Sequence, residues 1–254
     1  MGTIKNLEEQ LNSLARESGR DVQGVFVDML DYIIDFLNPT KELLHDYGEK
    51  YGSNGNERLH TMMYTYFTIM DTELAKKSWY DAFGDLFMQI HVKGNNNAQV
   101  FTPPNLCNLM AEMSLRDYNG QEPTAKTAFG RRIVINDCSG GSGRNLLAAK
   151  SIFDSKGWRQ PYLVCEDIDS TCCKMSAVNL AMHGCFGEVI CHDTLNEVDK
   201  VRFGYIINET MWPIPTNVPS VRPCCDEKRF FGIGVWREKR HNAENRNNKQ
   251  LTLF

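Results

Sequence analysis

Between residues 132 and 207, short β-branched runs alternate with helical runs, and no other feature constrains the fold as much. Arg132-Ile133-Val134-Ile135-Asn136 reads as a strand, Asn145 to Phe153 as a helix, and Tyr162-Leu163-Val164-Cys165 as a second strand. Ser170 to His183 reads as a second helix, Glu188-Val189-Ile190-Cys191 as a third strand, and Phe203 to Ile207 as a fourth. Strands joined through helices cannot pair as tight hairpins and need crossovers. The order therefore predicts an α/β fold with a mostly parallel sheet and helices on its faces. Ligands of such sheets bind beyond the carboxyl ends of the strands.

The first 93 residues have a different texture. Val22, Val25, Phe26, Met29, Leu30, Ile33, Phe36 and Leu37 recur at three- and four-residue spacing and draw one apolar stripe. Asn38-Pro39 ends that helix. A second helical region is expected from about Glu57 to His91, burying Met62, Met63, Tyr66, Met70, Leu74, Trp79, Phe83 and Leu86. Gly94-Asn95-Asn96-Asn97 reads as a loop. Pro213, Pro215, Pro219 and Pro223 exclude a helix or central strand from 211–225, so a loop is expected there too. Phe230 to Trp236 could form one more strand, and 237–249 is polar and Asn-rich. The division implied is a helical region at 1–93, a core at 94–236 and a tail at 237–254.

Composition narrows the function classes. The chain has 254 residues, 42% hydrophobic and 24% charged, which is globular rather than disordered or fibrous. No apolar run reaches the roughly 18 residues of a membrane helix, and the polar start MGTIKNLEEQ does not read as a signal peptide. Nine cysteines without a Cys-x-x-Cys pair imply neither a disulfide framework nor a zinc site, so a reducing, cytoplasmic setting is expected. The net charge is −4, yet residues 228–254 are rich in Lys and Arg. A basic end is compatible with a nucleic-acid partner, or with a solvated tail.

The segment Asp137-Cys138-Ser139-Gly140-Gly141-Ser142-Gly143 joins the first strand to the first crossover helix. Glycines let the backbone turn sharply and approach a ligand, and the helix start offers free N–H groups. Neither the P-loop nor the Gly-x-Gly-x-x-Gly spacing is present. An aspartate at a strand end suits a ligand with a positive ammonium. The second strand ends in Glu166-Asp167-Ile168-Asp169 and the third in His192-Asp193-Thr194-Leu195. An acid after the second strand can accept from ribose hydroxyls, and one after the third from the amino group of adenine. Each acid alone could instead cap a helix, as Asp169 or Ser170 is expected to do.

Taken in order, these segments resemble the N6-adenine DNA methyltransferases, particularly the modification subunits of type I restriction systems. Gln99-Val100-Phe101-Thr102-Pro103 is similar to the family's Gly-Gln-Phe-Tyr-Thr-Pro segment. The glycine loop is similar to Asp-Pro-x-x-Gly-Ser-Gly with Cys138 for proline, and Asp193-Thr194-Leu195 to Gly-Asp-Thr-Leu. The resemblance covers roughly residues 80–208. It implies a Rossmann-like core that uses S-adenosylmethionine (SAM), with DNA as partner. Phe101 and Thr102 would flank the methionine end of SAM. Asp137 and Gly141 would hold its amino-acid portion, with Ser139 and Gly143 in the same loop. Asp167 would bind the ribose, Ile168 pack on the adenine, and Asp193, beside Thr194, bind the adenine amino group. Thr102-Pro103 would also simply start a helix well.

The adenine amino nitrogen is a poor nucleophile, so such an enzyme flips the base, stacks it on a ring and accepts hydrogen bonds from the amino group. The family does this with Asn/Asp-Pro-Pro-Phe/Tyr after the fourth strand. Here Asn208-Glu209-Thr210-Met211-Trp212 follows that strand. Asn208 stands at the catalytic place without the prolines, and Trp212 would be a displaced stacking ring. The 46 residues after Asn208 leave little room for further strands or a DNA-reading domain, so a pared-down core is expected. Three readings stay open: a DNA adenine methyltransferase of full or reduced activity, a non-catalytic SAM-binding, DNA-associated protein, or a methyltransferase for another substrate.

The chain ends Gln250-Leu251-Thr252-Leu253-Phe254, which resembles the peptide by which bacterial proteins dock on the replication sliding clamp. The glutamine would make polar contacts while Leu251, Leu253 and Phe254 enter an apolar groove. An apolar terminal strand is the competing reading. Deleting residues 250–254 is expected to abolish capture by immobilised clamp; unchanged capture would refute the docking reading.

Overall fold

The structure is a computed structural model that describes residues 2–40, 45–93, 99–121, 132–195, 201–209 and 218–230. The loop expected at 94–97, the strand expected at 230–236 after its first residue, Trp212 and the tail with its terminal peptide lie outside the described residues. Among the described residues no helix is long and apolar enough to cross a membrane.

Among the described residues six helices precede the sheet: α1 (Ile4–Ser18), α2 (Val22–Leu37), α3 (Gly48–Tyr51), α4 (Gly55–Leu74), α5 (Ala82–Lys93) and α6 (Pro104–Ser114). Their ends follow side-chain chemistry. Thr3 accepts from the Asn6 N–H to start α1, and Gly19, in the left-handed region, ends it. Asp21 accepts from the Gly24 N–H to start α2, and the helix stops at Asn38-Pro39. The stripe expected on α2 is buried except for Val22, which is half-buried, and Phe36, which is 56% exposed and packs edgewise on His60 and tilted on Phe67. The single helical region expected from Glu57 to His91 is broken. Asp81 accepts from the Gly84 N–H at 2.7 Å and so begins α5 as a new helix. The start of α6 falls one residue later than Thr102-Pro103 implies, with Pro103 at the N-cap and Pro104 in the first turn.

The alternating region forms β1 (Val134–Asp137), α7 (Arg144–Lys156), β2 (Tyr162–Asp167), α8 (Ser170–Met182), β3 (Phe186–Cys191), β4 (Phe203–Ile207) and β5 (Val221–Cys224). The strand order is β1-β2-β3-β4-β5. β1, β2 and β3 are parallel, as the crossovers require, whereas β4 and β5 run antiparallel to their neighbours. Only eleven residues separate β3 from β4. That is short for a helical crossover, which needs a dozen or more, so the chain folds straight back. β5 corrects the expectation that 211–225 is loop throughout. Pro223 pairs with Tyr205 on this outermost strand, where a missing N–H costs least.

One apolar core runs through both parts of the chain. It contains Leu7, Phe26, Met29, Tyr66 and Phe83 of the helical region together with Leu147, Leu163, Val178, Val189 and Ile207. α8 packs on β2 and β3 and also against α2 and α5. Tyr66 and Phe83 stack with centroids 4.0 Å apart at its centre.

His183, just after α8, ties this interface. Its Nε2 accepts from the Tyr80 N–H at 3.1 Å and its Nδ1 donates to the Asn179 carbonyl at 2.7 Å. Burial holds its pKa below the ordinary imidazole value. The unfolded chain therefore takes up a proton near pH 6.5 while the folded one stays neutral. Stability is full above about pH 6.5 and declines as pH falls below it. Thermal melts from pH 7.5 to 5.5 should show that decline, and His183→Gln should flatten it.

Candidate functional site

The three parallel strands end together, and the glycine loop lies at that end. Gly140 donates to the Glu166 carbonyl at 2.9 Å, which lays the loop on β2. A Cβ on Gly140 would stand 2.3 Å from Cys165 Sγ, so only glycine fits. Gly141 and Gly143 have φ of +55° and +91°, the left-handed region that glycine enters without strain. Phe101 lies over the loop, and a Cβ on Gly141 would be 3.0 Å from its ring.

The strand-end acids surround this loop. Asp137 accepts from the Ser139 N–H at 3.2 Å and from Asn145 Nδ2 at 3.0 Å. Asp167 accepts from the Gly141 N–H through one oxygen at 2.8 Å and from the Asp169 N–H through the other at 2.9 Å. A carboxylate has about four lone-pair directions, so both contacts leave capacity for a ligand hydroxyl. Asp193 accepts from the Leu195 N–H, and Thr194 donates to the Cys138 carbonyl at 3.1 Å, tying the end of β3 to the loop. Ile168, beside Asp167, is 51% exposed. Asp169 caps α8, accepting from Thr171 and Cys172. The structure thus brings together Phe101, Thr102, the glycine loop, Asp167, Ile168 and the Asp193-Thr194 pair.

It does not bring Asn208 to them. β4 pairs with β3 in the order Gly187↔Ile207 to Cys191↔Phe203, so its carboxyl end lies at the amino end of β3. Asn208 is a strand length from the loop, on the order of 15–20 Å. There its φ is +49°, a conformation asparagine tolerates better than most residues. Its Nδ2 donates to the Ala181 and Cys185 carbonyls at 3.1 and 2.8 Å, and its Oδ1 accepts from the Ser220 N–H at 2.8 Å.

The residues that sequence reasoning missed form a buried network beneath the loop. Asp81, 2% exposed, accepts from Ser142 Oγ at 2.5 Å, Arg144 Nε at 2.5 Å and Asn179 Nδ2 at 2.7 Å. Arg144 Nη2 also donates to Asp85 at 2.7 Å. Burial raises the Asp85 carboxyl above its usual value, with Arg144 pulling the other way. One signal was available. Arg144 is the first residue of α7, where the helix dipole disfavours a cation, and its presence there calls for a compensating anion. Two nearby thiols are kept protonated by burial, which pushes Cys165 and Cys172 far above the ordinary range. Among the described residues no cluster of His, Cys, Asp and Glu could hold a metal ion.

The family model for the N-6 DNA methylases matches residues 79–247. This chain belongs to that family. The match begins two residues before Asp81 and takes in residues 99–102, the glycine loop and the strand-end acids of this methylase-family chain. No curated protein matches it significantly. Solved structures similar to it include two methyltransferases. One is described as a class I SAM-dependent methyltransferase from Listeria monocytogenes: 15% identity, TM-score 0.46, covering 77% of this chain and 55% of that one. The other is a type I restriction-modification methyltransferase subunit from Streptococcus thermophilus: 18% identity, TM-score 0.41, covering 77% and 40%. The chain spans about half the length of the structures it matches.

The fit of Gly140 on Cys165 is directly testable in this methylase-family chain. Gly140→Ala is expected to cost about 1–3 kcal/mol in urea unfolding, as overpacking does. Adding Cys165→Ala, which removes the clashing sulfur, should recover most of that loss.

Proposed function

We propose that this protein binds SAM at the ends of β1, β2 and β3 and serves DNA methylation without itself using Asn208 as an amino-group acceptor. The observation that carries the reading is the pairing direction of β4, which puts the cofactor cradle and Asn208 at opposite ends of the sheet. A group that steers an amino nitrogen toward a methyl must stand within hydrogen-bond reach of it. Asn208 instead makes three backbone contacts, which clamp the β4–β5 hairpin to the end of α8.

The cradle fits the cofactor that the family implies. SAM supplies a methyl group on a positively charged sulfur. Asp137 would meet its ammonium, the glycine loop at Gly141 its amino-acid portion, Asp167 the ribose hydroxyls, and Ile168 and Asp193 the adenine. Ser139, Gly143, Phe101, Thr102 and Thr194 would complete the walls. What supports this is that the loop glycines let the backbone turn sharply at the strand ends and that the acids cluster there. DNA is the proposed macromolecular partner, and the terminal peptide of Gln250, Leu251, Leu253 and Phe254 the proposed link to a sliding clamp. In the alternative, a catalytic methyltransferase, Trp212 would supply the stacking ring.

Titration calorimetry separates the parts. The wild type should bind SAM, and Asp137→Ala should weaken binding about tenfold or more, as loss of a charged contact does. Asn208→Ala should leave SAM affinity unchanged while costing about 1–3 kcal/mol of stability, because it strips partners from three backbone groups. Absence of heat with the wild type would overturn the cofactor reading. Labelled methyl incorporation into DNA that Asn208→Ala abolishes would overturn the structural role given to Asn208.

A further inference from the structure

Residues 99–102 cross the glycine loop as a strap held at both ends. At one end Gln99 Nε2 donates to Asp169 at 3.4 Å, and Cys172 Sγ donates to Gln99 Oε1 at 3.7 Å. At the other the Thr102 carbonyl accepts from Arg144 Nη1 at 3.4 Å. Between them the Phe101 ring sits on Gly141, packs on Phe87 with centroids 5.4 Å apart, and has the Arg144 guanidinium carbon 5.6 Å from its centre. Arg144 thus uses Nε and Nη2 to grip Asp81 and Asp85 at the start of α5, and Nη1 and its flat face to support the strap. A planar five-donor fork can do both at once; an ammonium, a single compact charge, cannot.

We propose that Arg144 is a positioning residue for the cofactor, fixing Phe101 and Thr102 over the glycine loop from a seat supplied by the helical region. The inference rests on the SAM reading above. It makes Asp81 and Asp85, some sixty residues upstream of the loop, part of the site. Docking of α5 and cofactor binding are then linked, and each strengthens the other.

Hydrogen exchange and SAM titration test this with Arg144→Lys, which keeps the charge and removes the fork. In the ligand-free variant, peptides spanning 99–105 should exchange faster than in the wild type, while β2, β3 and α7 keep their protection. SAM affinity should fall about tenfold, the loss of one charge-assisted contact set. Wild-type exchange over 99–105 together with wild-type affinity would overturn the proposal, as would faster exchange spread equally over α7. If the lysine variant does not fold, Phe101→Leu decides, since it leaves the Asp81–Arg144 pair intact. It should lose affinity to a similar degree without loss of stability, and unchanged affinity would overturn the proposal. Failure of the wild type to bind SAM would instead remove the cofactor reading, and the ligand-free exchange would still decide whether Arg144 holds the strap.

Discussion

The arrangement depends on one buried carboxylate. Asp81 starts α5 through Gly84, pairs with Arg144 at the start of α7, and takes hydrogen bonds from Ser142 in the loop and Asn179 in α8. Three segments distant in sequence, 81–84, 142–144 and the α8 segment at Asn179, therefore meet at two oxygen atoms. A charge so deep is tolerated because it is paired and fully bonded; leaving either member of such a pair alone costs about 3–5 kcal/mol. The glycine loop accordingly rests on a polar keystone, and the helical region is continuous with the sheet's own core.

The reversal at β4 has the opposite effect. It separates what a motif reading puts together. Asn208 follows the fourth strand in sequence, yet the strand runs the other way, and the residue closes a corner instead of facing the loop. The same residue type at the same distance along the chain thus serves geometry here. Asparagine suits either role, since it enters the left-handed region readily and offers donor and acceptor from one side chain.

Local pattern made much of this legible. The alternation from 132 to 207 marked the first four strands, the cap of α8 was narrowed to Asp169 or Ser170 and is Asp169, and the glycines at 140, 141 and 143 marked a sharply turned backbone. Strand direction was harder, because β-branched residues look alike in either sense; only the brevity of the 192–202 connection carries that information. Asp81 was harder still. Its partner Arg144 is 63 positions away, and nothing in the apolar period of α5 separates a buried aspartate from a solvated one. The Asn38-Pro39 stop was visible for the reason β5 was not: proline past the first turn breaks a helix, whereas an outer strand accommodates it.

Pro223 also makes the two margins of the sheet unequal. On the β5 side a proline interrupts the row of N–H groups, so that margin is a poor template for another strand. On the β1 side the sequence Val134-Ile135-Asn136-Asp137 keeps every amide, and Val134 is 38% exposed. Among the described residues, growth of the sheet by strand addition is therefore directional: it is blunted at the hairpin and permitted beside the strand that carries the glycine loop.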